Sequence, residues 1–258
     1  MSNKKKSRFE RAQAQQKTTA RIITGPNGTS IRTILGRGYL RVPSMFPSVK
    51  TGRRIACEAD HERTLIEISE ADPNVVWYIT QPHRLEIYST EGETLTYFPD
   101  VRRDMSDGSV EIIETKKSLS EITRDPDYKR KLELAKEIYD RKRWTFRIMA
   151  EDEELAKEPL VSNAKKIAAD RGTMLRTKDV LAVQGLHSRE VFTYFDAISA
   201  LRRATRISQE YATAKLHALV VERFVYVDIS REIGGDAPMM IIAQQDIHKR
   251  RINRRELA

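Results

Sequence analysis

Hydrophobic and polar positions divide the first 150 residues into one amphipathic stretch, a series of short β-rich runs, a second amphipathic stretch and a last β-rich run. From Ile55 to Ala71 the residues Ile55, Ala59, Leu65, Ile66 and Ser69 recur at spacings of three and four, which predicts a helix. Asp72-Pro73-Asn74 ends it, because proline disfavours helical backbone at the residue before it. Val75 to Ile79 then reads as a buried strand, followed after Gln81-Pro82 by a second strand from Arg84 to Ser89 and a third from Thr94 to Arg103. The segment Asp104 to Ser109, with Asp107-Gly108 at its centre, predicts a hairpin turn between Tyr97–Arg103 and Val110–Lys116. Tyr128, Leu132, Ala135, Ile138 and Tyr139 predict a helix over about 127–143, and Trp144 to Met149 a further strand. Helix, strands, helix and strand describe a mixed sheet with helices packed on it.

Alternation along the second hairpin arm places Glu114 and Lys116 on one face with Ile112, and Thr115 with Ile113 on the other. In register, the opposite arm brings Asp100 close to them. Two carboxylates and an ammonium in one small volume suit metal-dependent phosphodiester chemistry, since Mg²⁺ needs only one or two carboxylates beside water and substrate phosphate. Glu62 falls within the apolar stripe of the first helix, where a carboxylate costs free energy unless paired or bound to a metal. Position alone leaves two readings open: a site acid, or a glutamate favoured by the helix N-terminus. The same holds for the hairpin acids, because charges near strand ends are commonly solvated.

Beyond an acidic stretch from Glu151 to Glu158, helical patterns cover about 161–171, 177–183, 189–203 and 208–223, followed by the runs Phe224–Val227 and Met239–Ala243 around Gly234-Gly235. Helices followed by a strand, a turn-rich loop and a strand suggest a winged-helix arrangement. Arg202, Arg203, Arg206 and Lys215 are its candidate phosphate contacts at positions read as exposed, the alternative being a helical protein-docking domain. The chain is thus read as a basic flexible arm over 1–20, a nuclease domain with an irregular lead-in over 21–155, the helical domain over 156–245 and a basic tail over 246–258.

Composition narrows the chemistry. The 258 residues carry 46 Lys and Arg against 37 Asp and Glu, a net charge of +9 that favours a polyanionic partner. Cys57 is the only cysteine and the five histidines show no ligand spacing, which excludes a disulfide framework and a cysteine-based zinc site. No apolar run is long enough for a bilayer and no signal-peptide pattern opens the chain, so a cytoplasmic location is expected.

Residues 58–150 resemble the catalytic domain of TnsA, the endonuclease subunit of heteromeric cut-and-paste transposases, a member of the restriction-endonuclease-like PD-(D/E)xK group. The resemblance is carried by Glu58 to Arg63, Asp72 to Val75, Gln81-Pro82, Phe98-Pro99-Asp100, Glu114-Thr115-Lys116 and the helix containing Lys131 to Leu134. It implies an α/β fold with a restriction-endonuclease-like mixed sheet flanked by helices, beside the mainly helical winged-helix-like C-terminal domain. By position it implies Glu62, Asp100 and Glu114 as metal-binding acids, the Thr115 carbonyl as a further ligand and Lys116 as the catalytic lysine. Mg²⁺ is the implied cofactor, with Mn²⁺ substituting. Double-stranded DNA at the ends of a mobile element, a DDE-type transposase and an ATPase regulator are the implied partners. Where some members of the family carry Gln, this chain has Glu114, the better ligand for a hard cation. Another nuclease of the same fold, or a non-catalytic DNA-binding or docking subunit, are the alternative readings.

Overall fold

A computed structural model of the chain describes residues 19–31, 44–88, 94–188 and 191–242. The proposed tail over 246–258 and all but Thr19 and Ala20 of the proposed arm lie outside these residues. The described part is mixed α/β. Its central sheet has the order β4–β7–β8–β9, formed by Val75–Thr80, Val101–Met105, Val110–Lys116 and Thr145–Ala150. The first three strands are antiparallel, and β9 joins β8 in parallel after a helical crossover. That order is consistent with the expected restriction-endonuclease-like core.

β8 is buried on both faces, as an inner strand between helical layers must be. Ile112 and Ile113 are each fully buried, but in different apolar clusters. Ile113 belongs to the cluster beneath helix α1 (Asp60–Ala71). Ile112 belongs to the one beneath the crossover helix α3 (Pro126–Arg141), which follows the short α2 (Ser120–Arg124). Each such side chain contributes about 1.5–3 kcal/mol by leaving water. The expected turn closes at Asp107-Gly108, with Gly108 at φ 84, a backbone angle that favours glycine.

A second sheet, β1–β5–β6 (Thr19–Thr24, His83–Tyr88 and Thr94–Tyr97), lies beside the first. The expected strand from Thr94 to Arg103 is therefore two strands, β6 and β7, in different sheets. Pro99, which has no N–H to give a ladder, stands where the chain crosses between them. The lead-in is also more regular than expected. It holds β1 and a two-stranded ribbon of β2 (Ser44–Pro47) and β3 (Arg54–Cys57), so α1 begins at Asp60 rather than Ile55. Ile55 and Cys57 are buried on the same side of β3, a period-2 pattern that the helical spacing had absorbed.

α1 is tied down at several points. Arg103, 4% exposed on β7, donates from Nε to Ser69 Oγ at 2.8 Å. Fully buried Glu70 accepts from Ser48 Oγ, Val49 N and Tyr78 OH at 2.7–2.8 Å, and Lys50 Nζ donates to the carbonyls of Ser69 and Asp72 at the helix C-terminus.

The C-terminal part comprises α4 (Leu160–Ala169), α5 (Thr177–Gln184), α6 (Tyr194–Thr205) and α7 (Gln209–Val221), with a small sheet ordered β10–β12–β11 (Phe192–Thr193, Pro238–Ile241 and Val225–Val227). α6 starts at Tyr194, not near residue 189, because Thr193 caps it by accepting from Asp196 N. α4 packs on α1, and one apolar cluster runs from Phe46 through Ile113 to Met239.

His83, 1% exposed, accepts or donates at Nε2 to Tyr139 OH at 2.7 Å. Burial, with Arg102 and Lys142 nearby, lowers its pKa to about 4. A depressed histidine pKa means that the unfolded chain takes up the proton first, so its contribution to stability is complete above about pH 6.5 and is lost as pH falls towards 4. We expect His83→Phe to flatten the acid limb of stability by on the order of 2 kcal/mol; an unchanged difference between denaturant unfolding at pH 7 and pH 4.5 would contradict this.

Candidate active site

Two corners of the chain meet at the end of β8. The first, Gln81-Pro82, carries the chain from β4 to β5, and the second, Phe98-Pro99-Asp100, carries it from β6 to β7. They are joined by a hydrogen bond from Gln81 N to Asp100 O at 2.7 Å, and Gln81 adopts φ 46, a left-handed angle uncommon for a residue with a side chain. The register Val101↔Ile113 then sets Asp100 beside Glu114 and Thr115.

Asp100 Oδ2 accepts from both Thr115 N at 2.7 Å and Thr115 Oγ1 at 2.9 Å. Glu114, 3% exposed, has both carboxylate oxygens occupied. Oε1 accepts from Lys116 Nζ at 2.6 Å and from Tyr128 OH, and Oε2 accepts from Tyr97 OH at 2.6 Å. Lys116 and Glu114 project from one face of β8, as alternation requires.

The electrostatics are those of an acid-rich centre. Burial, followed by repulsion from Glu114, raises the Asp100 pKa to about 7 despite the two Thr115 hydrogen bonds. Burial works against the Lys116 ammonium, but the Glu114 charge and hydrogen bond, with Asp100, outweigh it and hold the lysine above its ordinary value. Lys116 is thus a persistent cation. Glu62, in the first turn of α1, accepts from Glu58 N at 2.8 Å, so it does the local helix-end work that its position allowed. Its pKa is raised chiefly by burial, with Glu114 contributing repulsion, which places it within electrostatic reach of the same centre.

The structure therefore brings Asp100, Glu114, Thr115 and Lys116 into direct contact and Glu62 into their field. Arg202, Arg203 and Arg206 are exposed at the C-terminal end of α6. Lys215 is not on the surface where the sequence pattern put it: it is 4% exposed and its ammonium donates to Asp179 Oδ2 at 2.6 Å and to Met174 O at 3.0 Å. The physical reason is that α7 is enclosed by other elements, with every residue from Lys215 to Val221 buried. Tyr97 and Tyr128 were missed as site residues. Tyr97 carries no motif signal beyond preceding Phe98-Pro99-Asp100, and Tyr128 had been counted in the apolar stripe of its helix.

Residues 72–151 match the family described as TnsA-like endonuclease N terminal. This stretch resembles the N-terminal domain of TnsA-like endonucleases. The match takes in Asp100, Glu114, Thr115 and Lys116 together with Tyr97 and Tyr128, whereas Glu62 lies before it. No curated protein matches the chain.

The donor set of this centre fits a hard divalent cation. Its acids are oxygen donors crowded enough to repel one another, with Lys116 as the cation in contact with them. Among the described residues, no three Asp, Glu, His or Cys side chains form a ready-made cage. Mg²⁺ does not need one, because it keeps several waters.

Removing the Tyr97 hydroxyl leaves a buried carboxylate oxygen without its donor. Tyr97→Phe is expected to destabilise the metal-free protein by about 1–3 kcal/mol, read as a lower urea midpoint at unchanged slope; a midpoint equal to wild type would show that the bond contributes nothing.

Proposed function

We propose that the protein is a divalent-metal-dependent DNA endonuclease that cuts the 5′ ends of a mobile element. It would act with a DDE-type transposase and an ATPase regulator in the cytoplasm. The observation that carries this reading is the convergence of Asp100, Glu114 and Lys116 at one strand end inside the stretch that matches the TnsA-like endonucleases. No described helix is long and apolar enough to cross a membrane.

Asp100 and Glu114, with Glu62 and the Thr115 carbonyl, would hold Mg²⁺, for which Mn²⁺ substitutes. When bound, the cation supplies Lewis acidity at the scissile phosphate and lowers the pKa of water. The remaining work falls to the chain. Thr115 fixes the Asp100 carboxylate through two hydrogen bonds, so that it is oriented before substrate arrives. Lys116, kept charged by Glu114, is suited to donate hydrogen bonds to the attacking water and to offset charge on the phosphorane-like transition state, rather than to act as a base. Hydrolysis joins the water oxygen to phosphorus, breaks one P–O bond and leaves the departing oxygen protonated.

A winged-helix reading of the C-terminal part is supported by its element order. Helix α5, strand β10, helices α6 and α7, then strands β11 and β12 with β12 in the middle of the sheet are the arrangement such domains use. In this chain α7, the helix that would enter a groove, is mostly buried, so Arg202, Arg203 and Arg206 are the better phosphate contacts.

Asp100→Ala and Lys116→Ala are each expected to lower nicking of mobile-element end DNA by at least about 100-fold while thermal unfolding stays cooperative. Wild-type-like cleavage by both purified variants would overturn the assignment. Arg202→Gln, Arg203→Gln and Arg206→Asn, the last chosen because Asn tolerates the φ 54 of that position, are together expected to weaken DNA binding across sequences. The slope of log K against log salt should fall by about 2 to 3, and an unaltered slope would remove these arginines from the interface.

A further inference from the structure

The hydrogen bonds on Glu114 are unequal in how they can be released. A carboxylate oxygen offers about two lone-pair positions. Lys116 Nζ and Tyr128 OH fill both on Oε1, whereas Tyr97 OH takes one on Oε2. For Glu114 to ligate a cation through Oε1, a donor has to leave. Lys116 is on the same strand two residues on, and Tyr97 is 4% exposed with its ring edge-on to Phe146 at 6.4 Å between centroids. Tyr128 is different. It stands in the first turn of α3, where its backbone N–H is held by Asp125 Oδ1 at 2.9 Å, and its side chain is only half-buried. The ammonium groups of Lys116 and Lys131 lie 5.1 and 6.0 Å from its ring centre, so the ring sits among cations on the open side of the centre.

We propose that Tyr128 is a positioning residue that latches Glu114: its hydroxyl occupies the Oε1 position a divalent cation would use, and is displaced when the cation binds. Before loading, the latch satisfies a buried carboxylate and holds Glu114 against Lys116. With a cation held by Glu114, the carboxylate would no longer need the Tyr128 hydroxyl, which would be free to leave. The inference rests on the metal-dependent reading of the site, and it assigns to this tyrosine a cost that every loading event must meet.

Calorimetric titration of Mn²⁺ into the metal-free full-length chain separates the two ideas. Wild type is expected to bind Mn²⁺ and Asp100→Asn to lose that binding. Tyr128→Phe, which keeps the ring and its packing, is expected to bind about tenfold more tightly at the same stoichiometry, because a hydrogen bond to a charged oxygen no longer competes. A second readout follows the hydroxyl itself: Mn²⁺ should change the tyrosine ultraviolet absorbance of wild type and of Tyr97→Phe by more than that of Tyr128→Phe, in which only Tyr97 still reports on Glu114. Equal or weaker Mn²⁺ binding by Tyr128→Phe, or an absorbance change in it as large as in wild type, overturns the latch while leaving the metal site standing. Absence of Mn²⁺ binding by wild type overturns both.

Discussion

A carboxylate with 3% of its surface exposed needs donors, and Glu114 draws them from three elements at once. Lys116 comes from its own strand, Tyr97 from the last residue of β6 in the second sheet, and Tyr128 from the first turn of the crossover helix. Without Tyr97, Oε2 would be left without its donor in a medium that solvates it poorly, at a cost of about 1–3 kcal/mol. The requirement therefore fixes how the second sheet and α3 meet the end of β8. The same groups that satisfy Glu114 thereby surround the strand end at which Asp100 and Lys116 stand, both part-buried.

The two proline corners explain why these groups meet where they do. A sheet that continued through residues 81 and 100 would carry its ladder past the site and cover it. Pro82 and Pro99 interrupt the ladders, the chain passes into a neighbouring sheet, and the Gln81–Asp100 backbone bond stitches the two interruptions together. Gln81 bears the conformational cost of that stitch in its left-handed backbone, on the order of 1 kcal/mol. Asp100 is left at the mouth of a strand rather than within one. Its carboxylate can then turn to Thr115 across the hairpin.

What the sequence made legible here was local. The Asp107-Gly108 turn, the opposite burial of Ile112 and Ile113 and the pairing of Glu114 with Lys116 all follow from the chemistry of adjacent residues and a period of two. The unread parts depended on partners distant in the chain. Tyr128 approaches Glu114 across a turn and α2, and nothing in an apolar helical stripe distinguishes a tyrosine packed on the core from one whose hydroxyl reaches beyond it. Ile55 fits a helical spacing with Ala59 as well as a strand, and only the pairing of Ile55 with Phe46 and of Cys57 with Ser44 selects the strand. Lys215 looked like a surface cation because lysine usually is one; its burial depends on Asp179, 36 residues earlier, supplying the opposite charge.

The C-terminal helices share more with the elements around the central sheet than proximity. Arg223, 2% exposed, donates from Nε to Pro73 O at 2.8 Å, and Arg171 donates from Nε to Pro47 O at 2.7 Å with its guanidinium 4.2 Å from the Phe46 ring centre. α4 lies along α1, whose first turn carries Glu62 and whose last turn is clasped by Lys50 and, through Glu70, by Ser48 and Val49. A close-packed interior transmits displacement instead of absorbing it. The acid at the start of that helix stands at the edge of the acid-rich centre built on β8, so the C-terminal part packs on the same helix that borders that centre.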